Sequence, residues 1–141
     1  MSLEKNFHVA STALAAQMVR LNTVATNIAN AGVVAGTEAE AFRARRPVFE
    51  SILSDASQIY GSEYEGGVIV SDVIEDESPV KKIHQPWNEI ADQDGYVYAS
   101  NVNEVEEMVE MLSAARSYEN NVQVIATSKE LTLRTLDLTK A

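Results

Sequence analysis

The 141-residue chain is 45% apolar and carries 21 acidic against 11 basic residues, a formal net charge of −10. This length suits one domain, and the acidic balance argues against binding nucleic acid or an anionic membrane surface, because both attract basic proteins. The absence of cysteine excludes disulfides, thiolate nucleophiles and cysteine-based metal sites. No apolar run approaches the ~18 residues of a membrane-spanning helix, so none is predicted.

The first predicted element is a long amphipathic helix over Leu3–Asn30, with Ser2 as N-cap and Gly32 as stop. Its apolar residues recur at alternating spacings of four and three, the pattern of a heptad seam. The opposite face carries small uncharged polar side chains: Ser11, Thr12, Asn22, Thr23, Thr26, Asn27 and Asn30. Such a face suits burial in a polar contact, although an ordinary surface helix that lacks charge would give the same pattern.

The N-terminus superficially imitates a secretory signal. However, His8, Ser11 and Thr12 interrupt the would-be apolar core, and the helical pattern continues beyond it. We therefore expect no cleaved signal peptide.

A loop with one dense positive patch follows the first helix. Arg43, Arg45 and Arg46 lie within four residues of an otherwise acidic chain. They are expected either to pair locally with Glu38 and Glu40 or to contact an acidic neighbour, such as another copy of the chain.

Short strands occupy the middle of the chain. Residues 48–53 could be strand or helix, and residues 54–67 are polar, glycine-containing and read as a turn-rich connection. Residues 68–74 are β-branched and predict a strand, residues 80–84 predict a strand returning from it, and residues 95–99 predict a further strand. We therefore expect a small β module between two helices.

The second long helix is predicted over residues 103–140, which contain neither proline nor glycine. Asn103 can cap its first turn, and the three glutamates near its start complement the positive end of the helix dipole. At about 1.5 Å per residue the helix would be roughly 55 Å long. Because this exceeds the width of a small domain, part of its apolar stripe is expected to face something outside its own fold.

Candidate chemistry is sparse. The two histidines, His8 and His84, lack the spacing of a zinc site, and no nucleophile elbow or phosphate loop occurs. The segment Asp92-Gln-Asp94-Gly95 fails the pattern of a calcium loop at both ends and predicts a turn. We predict no catalytic residue, no cofactor and no metal, and a structural or interaction protein rather than an enzyme.

Four groups of motifs, in chain order, carry a resemblance. They are Phe7-x-Val9-Ala10-Ser11-x-x-Leu14-x-Ala16-Gln17 continuing to Asn27-Ile28-Ala29-Asn30; Phe42-Arg43-x-Arg45-x-Pro47; Asp76-x-Ser78-Pro79 with Ala91-Asp92-x-x-Gly95-Tyr96-Val97; and Asn101-Val102-Asn103 with Ala115-Arg116-x-Tyr118-x-x-Asn121-Val122. Together they resemble the axial proteins of the bacterial flagellum, and among them the proximal rod proteins. Gly32 and Glu89 depart from the family pattern, and both lie in predicted loops.

The resemblance implies a structural subunit of the proximal rod, the flagellar drive shaft. Such proteins are exported unfolded by the flagellar type III apparatus and assemble in the periplasm into a helical tube with other rod proteins. Their fold is mainly α with a small β module, and the two terminal helices pair as an antiparallel coiled coil. The expected division is therefore residues 1–31 and 103–141 for the helices and residues 32–102 for the loop and β module.

Two sets of residues are assigned roles on this basis. The intramolecular helix seam is expected to use Leu14, Leu21, Ile28, Met108, Leu112, Val122 and Ile125. Contacts between subunits are expected at Asn22, Asn27, Asn30, Arg43, Arg45, Arg116, Tyr118, Asn121 and Thr127. In the free monomer both helices are expected to be largely disordered and to order on docking. The alternative function is a secretion-associated helical adaptor or chaperone that acts as a soluble oligomer.

Overall fold

The computed structural model describes residues 3–52 and 66–140. Its elements in chain order are α1 (Leu3–Asn30), β1 (Val34–Ala35), β2 (Arg45–Ser51), β3 (Val68–Glu75), β4 (Lys81–His84), β5 (Tyr96–Ala99) and α2 (Glu104–Lys140). The predicted N-cap Ser2 and nearly all of the predicted 54–67 connection lie outside the described residues. The prediction of a mainly α chain with a small β module is confirmed.

Both long helices occur as predicted: α1 has the predicted bounds, and α2 begins one residue later than predicted. α1 ends at Asn30, where the Val33 N–H donates to the Asn30 carbonyl at 3.2 Å and turns the chain just past Gly32. α2 begins after Asn103, whose Oδ1 accepts the Val105 N–H at 3.2 Å. Asn103 therefore satisfies one of the orphan donors of the first turn, as predicted. Within the described residues, neither helix has an apolar stretch long enough to cross a bilayer.

Three strands form an antiparallel sheet in the order β1–β5–β4. The central strand β5 aligns Ala99 with Val34 and with Lys81, so one short strand flanks it on each side. Val97 in β5 is fully buried. β1 was not predicted, because a two-residue strand is too short to show a period.

The other two strands, β2 and β3, pair with each other. The Ile52 N–H donates to the Gly67 carbonyl at 3.0 Å, and the Asp76 N–H donates to the Ala44 carbonyl at 2.7 Å. The first bond joins the end of β2 to the start of β3, and the second joins the end of β3 to the start of β2. The two strands therefore run antiparallel. The ambiguous 48–53 stretch is therefore mostly strand.

One strand prediction was wrong in its partner. β4 does not return along β3 but pairs with β5. The turn between β3 and β4 is held by Asp76, whose Oδ1 accepts both the backbone N–H and the hydroxyl of Ser78. After this turn the chain leaves the β2–β3 pair and joins the other sheet.

The chain divides into two compact units, the first assembled from three separate segments and the second from two. The first contains Met1–Val19, Val48–Asp72 and Ser113–Ala141. The second contains Arg20–Pro47 and Val73–Leu112, which include all three strands of the β1–β5–β4 sheet. Small side chains dominate the buried positions of the first unit, as with Ala10, Ala16 and Ala114. The buried positions of the second unit include Val24, Ala44, Val97 and Val102.

Candidate assembly surface

A buried polar cluster joins three elements of the second unit: α1, the start of β2 and α2. The Asn27 amide on α1 donates to the Arg45 carbonyl at 2.9 Å and accepts the Arg45 N–H at 2.9 Å. The same amide donates to Oε2 of Glu107 on α2 at 3.0 Å. Arg46 lies with its guanidinium nitrogen 2.8 Å from the other Glu107 oxygen. Asn27 and Glu107 are both 0% exposed. Because a buried polar group needs its partners, the cluster fixes the positions of α1, α2 and the start of β2 relative to one another.

A second contact between the helices lies within the same unit. Arg20 of α1 forms an ion pair with Glu110 of α2. Asn27 follows Arg20 on α1, but its partner Glu107 precedes Glu110 on α2. Neither pair was predicted, because polar pairs between helices leave no signal in an apolar period.

A second asparagine, Asn101, holds the loop before β2 to the turn after β3. Its Oδ1 accepts the Ala44 N–H at 2.7 Å, and its amide donates to the carbonyls of Asp76 and Ser78 at 3.1 and 3.0 Å. Arg43 also donates to the Ser78 carbonyl at 3.1 Å. Asn101 belongs to the motifs that carry the family resemblance, but its hydrogen bonds to three backbone groups could not be predicted from the sequence.

The three arginines of the positive patch each face a carboxylate of their own chain. Arg43 lies 3.8 Å from Glu38, as local pairing predicts, and Arg45 lies 3.8 Å from Glu75. Arg46 pairs with the buried Glu107 on the distant α2. A role for Arg43 or Arg45 between subunits remains a prediction.

The other residues proposed for contacts between subunits differ in exposure. Side chains that are exposed in the single chain are those of Asn22, Arg116 and Thr127, and the half-buried ones are those of Asn30, Tyr118 and Asn121. Asn27 is corrected: its side chain is fully buried in its own chain and is engaged in three hydrogen bonds, so it has no surface to offer a neighbour.

The residues proposed for the helix seam also divide. Leu14, Leu21, Ile28 and Ile125 are half-buried. Met108, Leu112 and Val122 are 56%, 54% and 45% exposed, which corrects their assignment to a face buried within the chain. The buried residues of α2 are instead Glu107, Ala114 and Ser128, which are spaced by seven and then fourteen residues and are not bulky apolar ones. The prediction rested on the large apolar side chains, which lie on a neighbouring face of the helix.

The exposed side chains near the start of α2 form one surface, which we call the α2 patch. Its members are Val105, Met108, Val109 and Leu112, spaced as i, i+3, i+4 and i+7, so they lie on one side of the helix. Their exposed fractions run from 54% to 70%. The exposed face ends in charge at Arg116, the next position of this spacing. Large apolar side chains clustered on a helix surface are typical of a contact with another protein.

The turn before β5 is fixed by a carboxylate. Asp92 Oδ1 accepts the N–H groups of Asp94 and Tyr96 at 3.0 and 2.8 Å, and Gly95 adopts φ = +78°. The hydrogen bond from the Tyr96 N–H is the main reason that the pKa of Asp92 lies below its usual range. This arrangement confirms the predicted turn.

A shallow groove of about 350 Å³ in the first unit is lined mainly by apolar side chains of α1 and β3, including Ala15, Ala16, Val68 and Val70. Residues 3–52 and 66–140 contain no group of three histidine, aspartate or glutamate side chains that could hold a metal ion.

Comparison with known proteins gives matches at both ends of the chain. A family model described as "Flagella basal body rod protein" matches residues 7–36, and one described as "Flagellar basal body rod FlgEFG protein C-terminal" matches residues 93–138. The flagellar basal-body rod protein FlgC of Salmonella typhimurium is 44% identical over 138 residues, which cover 98% of each chain.

More distant relatives carry the same name. FlgC of Escherichia coli is 43% identical over 98% of each chain, and FlgC of Aquifex aeolicus is 35% identical over 94% of this chain and 93% of its own. The resemblance found in the sequence is thereby confirmed over nearly the whole length. The chain belongs to the FlgC family of flagellar basal-body rod proteins, which are structural subunits of the rod.

Proposed function

We propose that this rod subunit is exported through the flagellar type III apparatus without a cleaved signal and assembles in the periplasm with copies of itself and other rod proteins. The assembly is a helical tube of the proximal rod. Membership of the FlgC family supports a role in the rod. The α2 patch is the single structural observation that supports assembly through the helices. A monomer leaves this apolar surface in water, whereas a tube of subunits covers it.

The two terminal helices pair as an antiparallel coiled coil in this proposal. The contacts within the second unit support the direction, because Arg20 meets Glu110 while the later residue Asn27 meets the earlier residue Glu107. Leu14, Leu21, Ile28 and Ile125 remain seam candidates.

Ordering on assembly is proposed for part of the helices only. The buried Asn27–Glu107 contact favours a second unit that is folded in the free chain. The α2 segment of the first unit instead exposes several large apolar side chains, among them Val124, Leu131 and Leu133. We expect residues 3–19 and 113–140 to gain stable helix when neighbouring subunits cover these side chains. The proposed disorder of the free monomer is thereby limited to these two segments and no longer includes the whole of both helices.

Purification of basal bodies tests the proposed function. The gene is deleted in the bacterium that encodes the chain, the wild-type chain is supplied from a plasmid, and intact basal bodies are analysed by quantitative mass spectrometry. Deletion should stop rod formation, and the supplied chain should appear in the basal body at a fixed copy number.

The secretion-associated adaptor or chaperone is not favoured by the family. Like a rod subunit, it would abolish flagella on deletion, so the location of the chain distinguishes the two. An adaptor would remain a discrete cytoplasmic oligomer and be absent from the purified basal body, and that result would overturn the proposal. No enzymatic activity is proposed.

A further inference from the structure

Methionine supplies all the sulfur in this chain, since the sequence has four methionines and no cysteine. Met1 lies outside the described residues, and the other three methionines differ in exposure. Met108 and Met18 are 56% and 44% exposed, whereas Met111 is half-buried. Oxidation of a thioether requires that the oxidant reach the sulfur, so the Met108 side chain is the most open to a dissolved oxidant in the described part of the chain.

The surroundings of Met108 distinguish it from Met18. The other three members of the α2 patch lie three residues before Met108, and one and four residues after it, and each is more than half exposed. Met18 has no such neighbours, because within residues 4–30 the other exposed large apolar side chain is Val9, nine residues away. Met108 is therefore the exposed methionine at which a change in polarity alters a whole apolar surface.

We propose that Met108 is a modification site, oxidised to methionine sulfoxide by hydrogen peroxide while the subunit is unassembled, and that the sulfoxide prevents the α2 patch from entering its assembly contact. One peroxide oxygen forms a bond to the Met108 sulfur as the O–O bond breaks. The sulfur gives up two electrons, which reduce the peroxide, and the second peroxide oxygen leaves as water with both hydrogens. The effect on assembly rests on the proposed function, whereas the oxidation itself does not.

The physical effect of the sulfoxide differs between the free and the assembled subunit. Oxidation converts a flexible apolar side chain into a polar one with a strong hydrogen-bond acceptor. In the free chain water binds the new oxygen, so the fold is unchanged. A contact that covers the α2 patch must remove this water, and burial of a polar group without a partner is costly enough to lower incorporation about tenfold.

Mass spectrometry of the purified chain tests the oxidation. The chain is treated with hydrogen peroxide at neutral pH, and fragment spectra that separate Met108 from Met111 follow the sulfoxide at each residue with time. Met108 should be oxidised at least about twofold faster than Met111, its neighbour on the same helix, because it is more exposed. In concentrated urea the two rates should become equal. Equal rates in the folded chain would overturn the proposal.

Substitution tests the effect on assembly. Glutamine resembles methionine sulfoxide in size and polarity, so Met108→Gln should lower the copy number of the chain in purified basal bodies about tenfold, whereas Met108→Leu should retain it. Met18→Gln is the matched control at the other exposed methionine and should leave the copy number unchanged. Met108→Gln at the wild-type copy number, or an equal loss from Met18→Gln, would overturn the proposal.

Peroxide added to growing cells tests both steps with the native side chain. Sulfoxide at Met108 should be enriched in the unassembled chain relative to the basal body, and incorporation of newly made wild-type chain should fall. The Met108→Leu chain should be incorporated equally with and without peroxide. Equal losses for the two chains would overturn the inference and leave the proposed function intact. Basal bodies that lack the wild-type chain even without peroxide would overturn the proposed function, while the oxidation rates of the purified chain would stand independently.

Discussion

Replacing Asn27 by alanine should destabilise the second unit more than any exposed helical asparagine would. The substitution removes an amide that makes two hydrogen bonds with the Arg45 backbone and one with the buried Glu107 carboxylate. A neutral bond contributes about 1 kcal/mol, and one to a charged group about 1.5–3 kcal/mol. The expected loss is therefore roughly 3–5 kcal/mol, a large part of the ~5–15 kcal/mol by which a domain is stable.

The measurement is urea unfolding of the purified chain followed by far-ultraviolet circular dichroism. Asn22→Ala is the matched control, because Asn22 lies on the same helix with an exposed side chain, and its loss should stay below about 0.5 kcal/mol. Asn27→Asp keeps the size and the acceptor for the Arg45 N–H but places a second carboxylate beside Glu107. It should be at least as destabilising as the alanine.

The refuting result follows from these comparisons. If Asn27→Ala and Asn22→Ala reduce the unfolding free energy equally, or if Asn27→Asp is neutral, the buried cluster does not hold the helices. The support it gives to antiparallel pairing would then be lost.

Three further predictions concern the turns and the helices. Gly95→Ala should destabilise the chain by about 1–3 kcal/mol, because φ is +78° and the new Cβ would lie 3.0 Å from Pro86 Cβ; an unchanged melting temperature would contradict this. The pKa values of Asp76 and Asp92 are lowered, chiefly by hydrogen bonds from Ser78 and Tyr96. Their stabilisation is present above the ordinary carboxyl pKa of ~3.9 and is lost as pH falls through the lower folded values, so an Asp76→Asn/Asp92→Asn chain should lose less stability on acidification, measured as urea midpoints. Hydrogen exchange of the free chain should protect residues 20–30 and 104–112 more than residues 113–140, and equal protection would argue against a partly ordered monomer.

The extent of the helices was predictable because their signals are local. An apolar period, a capping asparagine and a glycine stop fixed α1 and α2 to within a residue. The strands of β3, β4 and β5 were also found, since β-branched runs and a turn at Asp94-Gly95 define them. Their partners were not, because strand pairing joins residues that are distant in sequence and leaves no local signal. β4 pairs with β5, whereas β3 pairs with β2.

The side-chain roles were harder to predict. A period of large apolar residues suggested that Met108 and Leu112 face the other helix, yet the buried face of α2 carries Glu107, Ala114 and Ser128. Small side chains allow close packing, and a buried carboxylate needs partners from distant segments, here Asn27 and Arg46. Neither property has a sequence period. The apolar residues that the period did detect form the exposed α2 patch.

The apolar period therefore detected side chains of α2 that are exposed in the single chain, and their role in assembly remains a proposal. This outcome agrees with the excess apolar stripe expected for a helix longer than its own domain. It also explains why a free subunit would carry four exposed apolar side chains on an otherwise well-capped helix.

The most direct test of the central claim is imaging of the assembled rod at side-chain resolution. The account predicts that α1 and α2 of one subunit run antiparallel, with Glu107 buried between them, and that Val105, Met108, Val109 and Leu112 are covered by a neighbouring subunit. A rod in which these four side chains face solvent, or in which the chain is absent, would contradict it.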